Sequence, residues 1–182
     1  DEWKRRIRSD EIRCNRMKSV ESVQSAKEMS FPRRRESRPM KFINLNETKQ
    51  TKLTFDKPGD YKVFFHNLSG EFDFNIKASG INLDILGLFI GKKSDNFELK
   101  TNQYHISPGS ISNLLIKGVF DDQSKFIYQG LIKIEKTGQK SHAYQKNKNL
   151  ILSSGVYVDS RPFLEILAND VFCTHGSTTG KI

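Results

Sequence analysis

Beyond residue 40, short runs rich in Ile, Val, Phe, Tyr and Leu alternate with turn residues, which is typical of β-strands. The runs predict strands at 42–45, 51–55, 61–67, 71–78, 81–90, 97–100, 114–120, 126–135, 150–152, 156–158, 163–167 and 171–173. Turn sequences separate them, at 57–60, 79–80, 107–109 and 121–122. Because Gly, Pro or Asn interrupts every longer periodic stretch, no helix is predicted here. The predicted fold class is all-β.

The residues alone leave two all-β architectures open, a sandwich or barrel of hairpins and a solenoid of stacked coils. Between 111 and 173 the predicted strands shorten, and Asn-Gly or Asp-Gly hairpin turns do not occur there. Asn147, Asn149 and Asn169 are predicted to lie at corners between strands. These features favour the solenoid, but the sequence contains no clean repeat period that would decide between the two.

The first 40 residues differ from the rest in charge. The chain has 182 residues and a net charge of +9, and nine of its ten arginines lie in this segment. Residues 1–40 carry 12 basic and 7 acidic side chains, and a composition boundary falls near Pro39. We predict an irregular or partly helical basic segment at 1–40, with a solvated linker at 30–39, followed by a β-domain at 41–182.

Clustered arginines in this segment make nucleic-acid binding an alternative function. Arg33, Arg34, Arg35 and Arg38 could neutralise phosphates and release condensed counterions. The segment lacks the aromatic stacking residues and base-reading motifs that usually accompany such binding. A charged tail or inserted peptide without a ligand is therefore favoured over a nucleic-acid site.

Composition excludes several other classes of protein. No window approaches the 18 or more apolar residues that a membrane helix needs, and no apolar stretch of a secretory signal follows the charged N-terminus. Two cysteines, Cys14 and Cys173, cannot form a disulfide framework. We therefore expect a cytoplasmic protein in a reducing compartment, without a membrane partner.

The last third carries a motif series found in one known family. It consists of a Gln-Asn run with aliphatic residues at 145–153, Arg-Pro-Phe-Leu-Glu-Ile at 161–166 and Asn-Asp-Val-Phe-Cys-Thr-His-Gly-Ser-Thr-Thr-Gly at 169–180. Upstream, His105, Ser112 and Lys-Gly-Val at 117–119 fit the same series. The chain resembles the SufB/SufD family of iron–sulfur cluster assembly scaffolds over 41–182, most specifically over 105–180. Gly176 after His175, in place of Glu, points to a SufD-like member.

This resemblance implies a right-handed parallel β-helix that pairs with a SufB-like paralog. It implies a transient iron–sulfur cluster at the interface between the two subunits, with none bound by this chain alone. ATP hydrolysis would belong to a SufC-like ABC-type ATPase, so the chain itself is not expected to be an enzyme. The sequence stops at Ile182, before the helical region through which family members dock that ATPase. We therefore expect a truncated scaffold for which a SufC-like ATPase is a doubtful partner, and a non-functional fragment is a further alternative.

Cys173 and His175 are the most specific candidate metal-binding pair in the sequence. Residues i and i+2 of a strand project from the same face, so the thiol and imidazole could share one iron or zinc ion. Spacing alone favours a structural reading, with the cysteine packed inside a coil and the histidine hydrogen-bonded at its corner. The resemblance instead implies that His175 lies at the face that meets the paralog, beside a cysteine and a glutamate of that partner. Glu165 is predicted to point outward, and its alternative role is a partner-facing acid.

A cysteine protease is the enzymatic alternative, with Cys173 as nucleophile and His105 or His142 as base. Nothing in the sequence identifies the orienting group or the oxyanion pocket that this chemistry needs. His66, His105 and His142 are therefore predicted to be structural or surface residues rather than ligands.

Overall fold

Residues 40–182, the part of the chain that the computed structural model describes, form eleven β-strands in two parallel sheets. The strands are β1 (Met40–Asn44), β2 (Lys52–Phe55), β3 (Gly59–His66), β4 (Gly70–Ile76), β5 (Ile81–Gly91), β6 (Asn96–His105), β7 (Ile111–Phe120), β8 (Lys125–Ile134), β9 (His142–Ile151), β10 (Tyr157–Ile166) and β11 (Phe172–Lys181). One sheet has the order β1-β3-β5-β7-β9-β11, and the other has the order β2-β4-β6-β8-β10. The chain alternates between the sheets, which makes a β-solenoid and confirms the predicted all-β class.

Register between coils explains why the sequence shows no repeat. Gly59 of β3 pairs with Ile81 of β5, 22 positions later, whereas Ile111 of β7 pairs with His142 of β9, 31 positions later. Coils of unequal length stack in register because the turns absorb the difference. A fixed sequence period therefore does not emerge, although the strands repeat regularly in space.

Alternate residues of most strands point inward and fill the space between the sheets. In β5, burial alternates along the strand from Ile81, and β3 and β7 follow the same pattern. Aromatic rings dominate this core: the Phe89 and Phe126 centroids lie 4.7 Å apart, and those of Phe120 and Phe126 lie 5.0 Å apart. Stacked coils with an apolar interior thus provide the main packing of the fold.

One short helix, α1 (Leu45–Thr48), interrupts the strands and was not predicted. Its first turn is capped by Asn44, whose side chain accepts a hydrogen bond from the backbone N–H of Asn46 at 3.1 Å. Lys49 ends the helix in the left-handed conformation, with φ of 53°. Leu45 is fully buried, so the turn anchors the first coil.

The predicted shortening of strands in the second half is wrong. The run at 150–152 is the end of the ten-residue strand β9, and β11 extends well beyond the predicted 171–173. Asn147 and Asn149 are not corner residues, because both are buried within β9. Asn169 does lie in the connection between β10 and β11. Polar residues on inward positions hid these strands from a search for apolar runs.

The predicted runs at 156–158 and 163–167 are two parts of the single strand β10, which contains Pro162. Among the described residues, β10 pairs only with β8, at the edge of its sheet. Proline has no backbone N–H, so position 162 can contribute only its carbonyl to the ladder.

The predictions for residues 1–39 lie outside the described residues, including the partly helical segment and the arginines at 33, 34, 35 and 38. Within the described part, no helix has the length and apolar character needed to cross a membrane.

Candidate functional site

Cys173 and His175 lie on β11, at the inward side of its sheet. In the parallel register, Cys173 pairs with Ala143 and His175 pairs with Gln145, and both partners are buried in β9. Residues paired across parallel strands point to the same side, so both candidate side chains face inward. Cys173 packs against the small apolar cluster that contains Ile134. The structure therefore brings the thiol and the imidazole to one face.

Burial changes the chemistry of the thiol. The partly buried Cys173 has a pKa raised to about 11, because desolvation penalises the thiolate. A metal binds the thiolate, so coordination by Cys173 near neutral pH would require the release of a proton. This thiol is not an activated nucleophile.

His175 is exposed and borders a depression of about 440 Å³, with Tyr144, Lys146 and Thr174 among its lining residues. Within residues 40–182, no group of three or more His, Cys, Asp or Glu side chains is placed to hold a metal ion. Cys173 and His175 are thus two potential donors on one face and do not complete a site within the described part of the chain.

The fold does not place Glu165 beside Cys173 and His175. It lies on β10, in the other sheet, and its Oε1 is 2.9 Å from Nζ of Lys133, its register partner on β8. This hydrogen bond to Glu165 is the main reason that the pKa of Lys133 is raised. Glu165 therefore belongs to an outer charged row, and the Glu165 side chain is 48% exposed.

His105 is the most strongly perturbed histidine, and the sequence analysis did not anticipate its surroundings. Its Nδ1 and Nε2 each lie 2.8 Å from a serine Oγ, those of Ser110 and Ser112. The only available signal was that both serines follow it directly across the turn at 107–109. Its imidazole is completely buried, and this burial lowers its pKa to about 4. His105 is a satisfied structural residue, as predicted.

These positions do not support the cysteine-protease alternative. The imidazole of His105 is engaged on both ring nitrogens by serines. His142 stacks on Phe172 at 5.4 Å between ring centroids, and its register position places it on the outer face, opposite the side that Cys173 faces. Neither imidazole is placed as a base for the Cys173 thiol.

Acidification is expected to destabilise the fold through His105. The folded chain keeps this histidine neutral down to a pKa of about 4, whereas the unfolded chain protonates it near 6.5. The contribution of neutral His105 to the free energy of unfolding is complete above pH 6.5. It is lost as the pH falls from 6.5 to 4, because the unfolded state then binds more protons than the folded state. We expect a loss of about 3 kcal/mol in the free energy of unfolding over this range, measured by urea unfolding.

His105→Gln is the control, because it keeps a polar side chain between the serines and removes the titrating group. The variant should lose distinctly less stability than the parent chain between pH 6.5 and 4. Equal losses in the two chains would show that His105 does not govern this pH dependence.

Two stacked parallel sheets, with the exposed His175 and the partly buried Cys173 on the same strand, place this chain in the β-solenoid class. Comparison with known proteins agrees with this class. The family model described as "SUF system FeS cluster assembly, SufBD core domain" matches residues 62–182. The chain therefore belongs to the SufBD family.

Individual relatives agree with this family. The iron–sulfur cluster assembly protein SufD of Escherichia coli is 30% identical over 120 residues, which cover 66% of this chain and 27% of the relative. SufD of Bacillus subtilis is 28% identical over 108 residues, which cover 59% of this chain and 25% of the relative. The chain thus spans about a quarter of the length of these two relatives.

Proposed function

We propose that this chain is a SufD-like scaffold subunit that pairs with a SufB-like paralog and helps to hold a transient iron–sulfur cluster between them. Membership of the SufBD family over residues 62–182 carries this proposal. Similarity to two proteins named SufD supports the choice of SufD over SufB, as does Gly176 after His175.

His175 is the side chain proposed to contribute to the cluster. It is exposed, and a neutral imidazole can bind iron without first losing a proton from an acidic group. Cys173 is the secondary donor, because its raised pKa keeps the thiol protonated near neutral pH. Two donors leave a four-coordinate site incomplete, so the remaining ligands would come from the paralog.

Glu165 is proposed to contact the partner rather than the cluster. Its carboxylate is tied to Lys133 on the outer face of the other sheet, away from the inward side of β11. The subunit would work in the cytoplasm and have no turnover of its own. ATP hydrolysis would belong to a SufC-like subunit.

Binding to a SufB-like protein tests the proposed pairing against nucleic-acid binding by residues 1–40. We expect a stable complex by size-exclusion chromatography that survives between 50 and 500 mM salt. We also expect it to survive the fourfold variant Arg33→Gln, Arg34→Gln, Arg35→Gln and Arg38→Gln. If the arginines bind phosphate instead, affinity for a DNA duplex should fall about 100-fold between 50 and 200 mM salt, because four contacts release four sets of counterions.

Each outcome distinguishes the two functions. A complex that the fourfold variant leaves intact supports the scaffold. Absence of a complex, together with duplex binding that the fourfold variant abolishes, would favour the basic arm as the functional part.

A further inference from the structure

The two sheets differ in the side chains on their outer faces. In the sheet that contains β4 and β6, outward positions include charged residues such as Glu71, Asp73 and Lys100. In the other sheet, every residue of β5 from Ile85 to Ile90 is apolar or glycine, so this part of the strand is apolar on both faces. Such a pattern is typical of parallel strands that are covered on both sides. The outer face of β5 therefore has the composition of a buried surface.

The register of the strands joins outward apolar residues of β3, β5 and β7 into one surface. We call this surface the apolar outer patch, and it consists of Phe64, Leu86, Leu88, Ile90, Leu115 and Val119. Leu86 pairs with Phe64 on one side and with Leu115 on the other, and Ile90 pairs with Val119. Ile90 is 57% exposed and Val119 is 38% exposed. Contiguous exposed apolar surface of this kind marks an interaction site.

Three exposed lysines border the apolar outer patch on the side of β9, and they are Lys117, Lys146 and Lys148. Lys146 pairs in register with Leu115 of the patch. Lys117 pairs with Leu88 of the patch, and Lys148 pairs with Lys117. Within residues 40–182, none of the three lysines forms an ion pair. Positive charge without an ion-pair partner thus lies directly beside an exposed apolar surface.

The dimensions of the patch match one face of a short α-helix. Three neighbouring strands, β3, β5 and β7, span about 10 Å across the sheet, because paired strands lie about 4.8 Å apart. Along β5, the four residue steps from Leu86 to Ile90 cover about 13 Å. A helix with side chains is about 10 Å wide and advances about 5.4 Å per turn. Two to three helical turns would therefore cover the patch, with the lysines along one edge of the helix.

We propose that the apolar outer patch docks an amphipathic helix of a partner protein, whose apolar stripe is flanked by acidic side chains. The apolar stripe would cover the patch, and the acidic side chains would pair with Lys117, Lys146 and Lys148. Other occupants fit less well. The segment at 1–40 carries 12 basic and 7 acidic side chains, and a second copy offers the same three lysines, so neither complements this charge. An anionic membrane would meet the carboxylate of Asp84, which lies two residues before Leu86 on the same face.

Two synthetic helical peptides of about 14 residues test the proposal with the full chain. Both carry the same leucine stripe, which is flanked by glutamates in one peptide and by lysines in the other. By fluorescence anisotropy, we expect the acidic peptide to bind with a Kd below about 100 μM and the basic peptide to bind about tenfold more weakly or worse. The assay contains no SufB-like protein and no iron, so its result is independent of the proposed function.

Charge reversal at the patch should exchange the preferred peptide. The double variant Lys117→Glu, Lys148→Glu replaces attraction of the acidic peptide by repulsion, so it should bind the basic peptide more tightly than the acidic one. The matched control is Lys100→Glu, Lys125→Glu, which reverses two exposed lysines on the outer face of the other sheet. The control should keep the preference of the parent chain for the acidic peptide. All four positions are exposed, so both double variants should fold like the parent chain.

Several results would overturn the proposal. One is equal binding of the two peptides, and another is no binding of the acidic peptide at 100 μM, a concentration set by the expected Kd of about 100 μM or below. A reversal of preference in the control variant would show that the patch is not the binding site. Ile90→Glu, which places a charge in the patch, separates the remaining occupants. If it abolishes binding of the parent chain to phosphatidylserine vesicles, or abolishes self-association, the patch docks a membrane or a second copy instead.

Discussion

Phe126→Ala is expected to destabilise the solenoid by about 3–5 kcal/mol, the usual cost of deleting a fully buried ring. Phe126 lies on β8 with no exposed surface. Its ring contacts Phe89 at 4.7 Å and Phe120 at 5.0 Å between centroids, so it joins residues of both sheets. Because interiors are packed closely, neighbouring coils held in register cannot collapse fully into the space left behind.

Urea unfolding measures this effect, and Phe163→Ala provides a control of the same residue type. Phe163 lies on β10, the neighbouring strand of the same sheet, but is 52% exposed on its outer side. We expect the control to cost less than about 1 kcal/mol, as for substitutions away from the core. Equal losses at the two positions would contradict the proposed core.

Strands with an apolar inward face could be predicted from the sequence, whereas strands with a polar inward face could not. In β5, apolar residues and glycine fill the inward positions, and the predicted 81–90 matches Ile81–Gly91 closely. In β9, the inward positions are Ala, Gln and Asn, and only the last residues look like a strand. The search for apolar runs assumes an apolar interior, whereas the interior of this solenoid is polar at β9.

The same polarity explains the misplaced corners. Asn147 and Asn149 are residue types that favour turns, so a sequence analysis assigns them there. Asn147 donates to Ser160, and Asn149 approaches Gly118 closely, which are contacts between residues well separated in the chain. Local propensity cannot contain that information.

The candidate pair could be located from the sequence, but its chemistry could not. Spacing in a strand was enough to expect Cys173 and His175 on one face. The raised pKa of the thiol depends on packing against Ile134 and Ala143, which belong to other coils. The ion pair of Glu165 with Lys133 likewise follows from a register that no local pattern encodes.

The most direct test of the central proposal is a cluster assembly assay in which this chain carries His175→Ala and is combined with its SufB-like partner. The rate of iron and sulfide incorporation, measured from the visible absorption of the cluster, should fall about tenfold or more. The reason is that the substitution removes an imidazole at the shared face. His142→Ala is the matched control, since it removes a histidine from the outer face of the adjacent strand and should leave assembly largely intact. An unchanged rate and yield with His175→Ala, in a complex that still forms, would contradict the proposed role of His175 at the shared cluster.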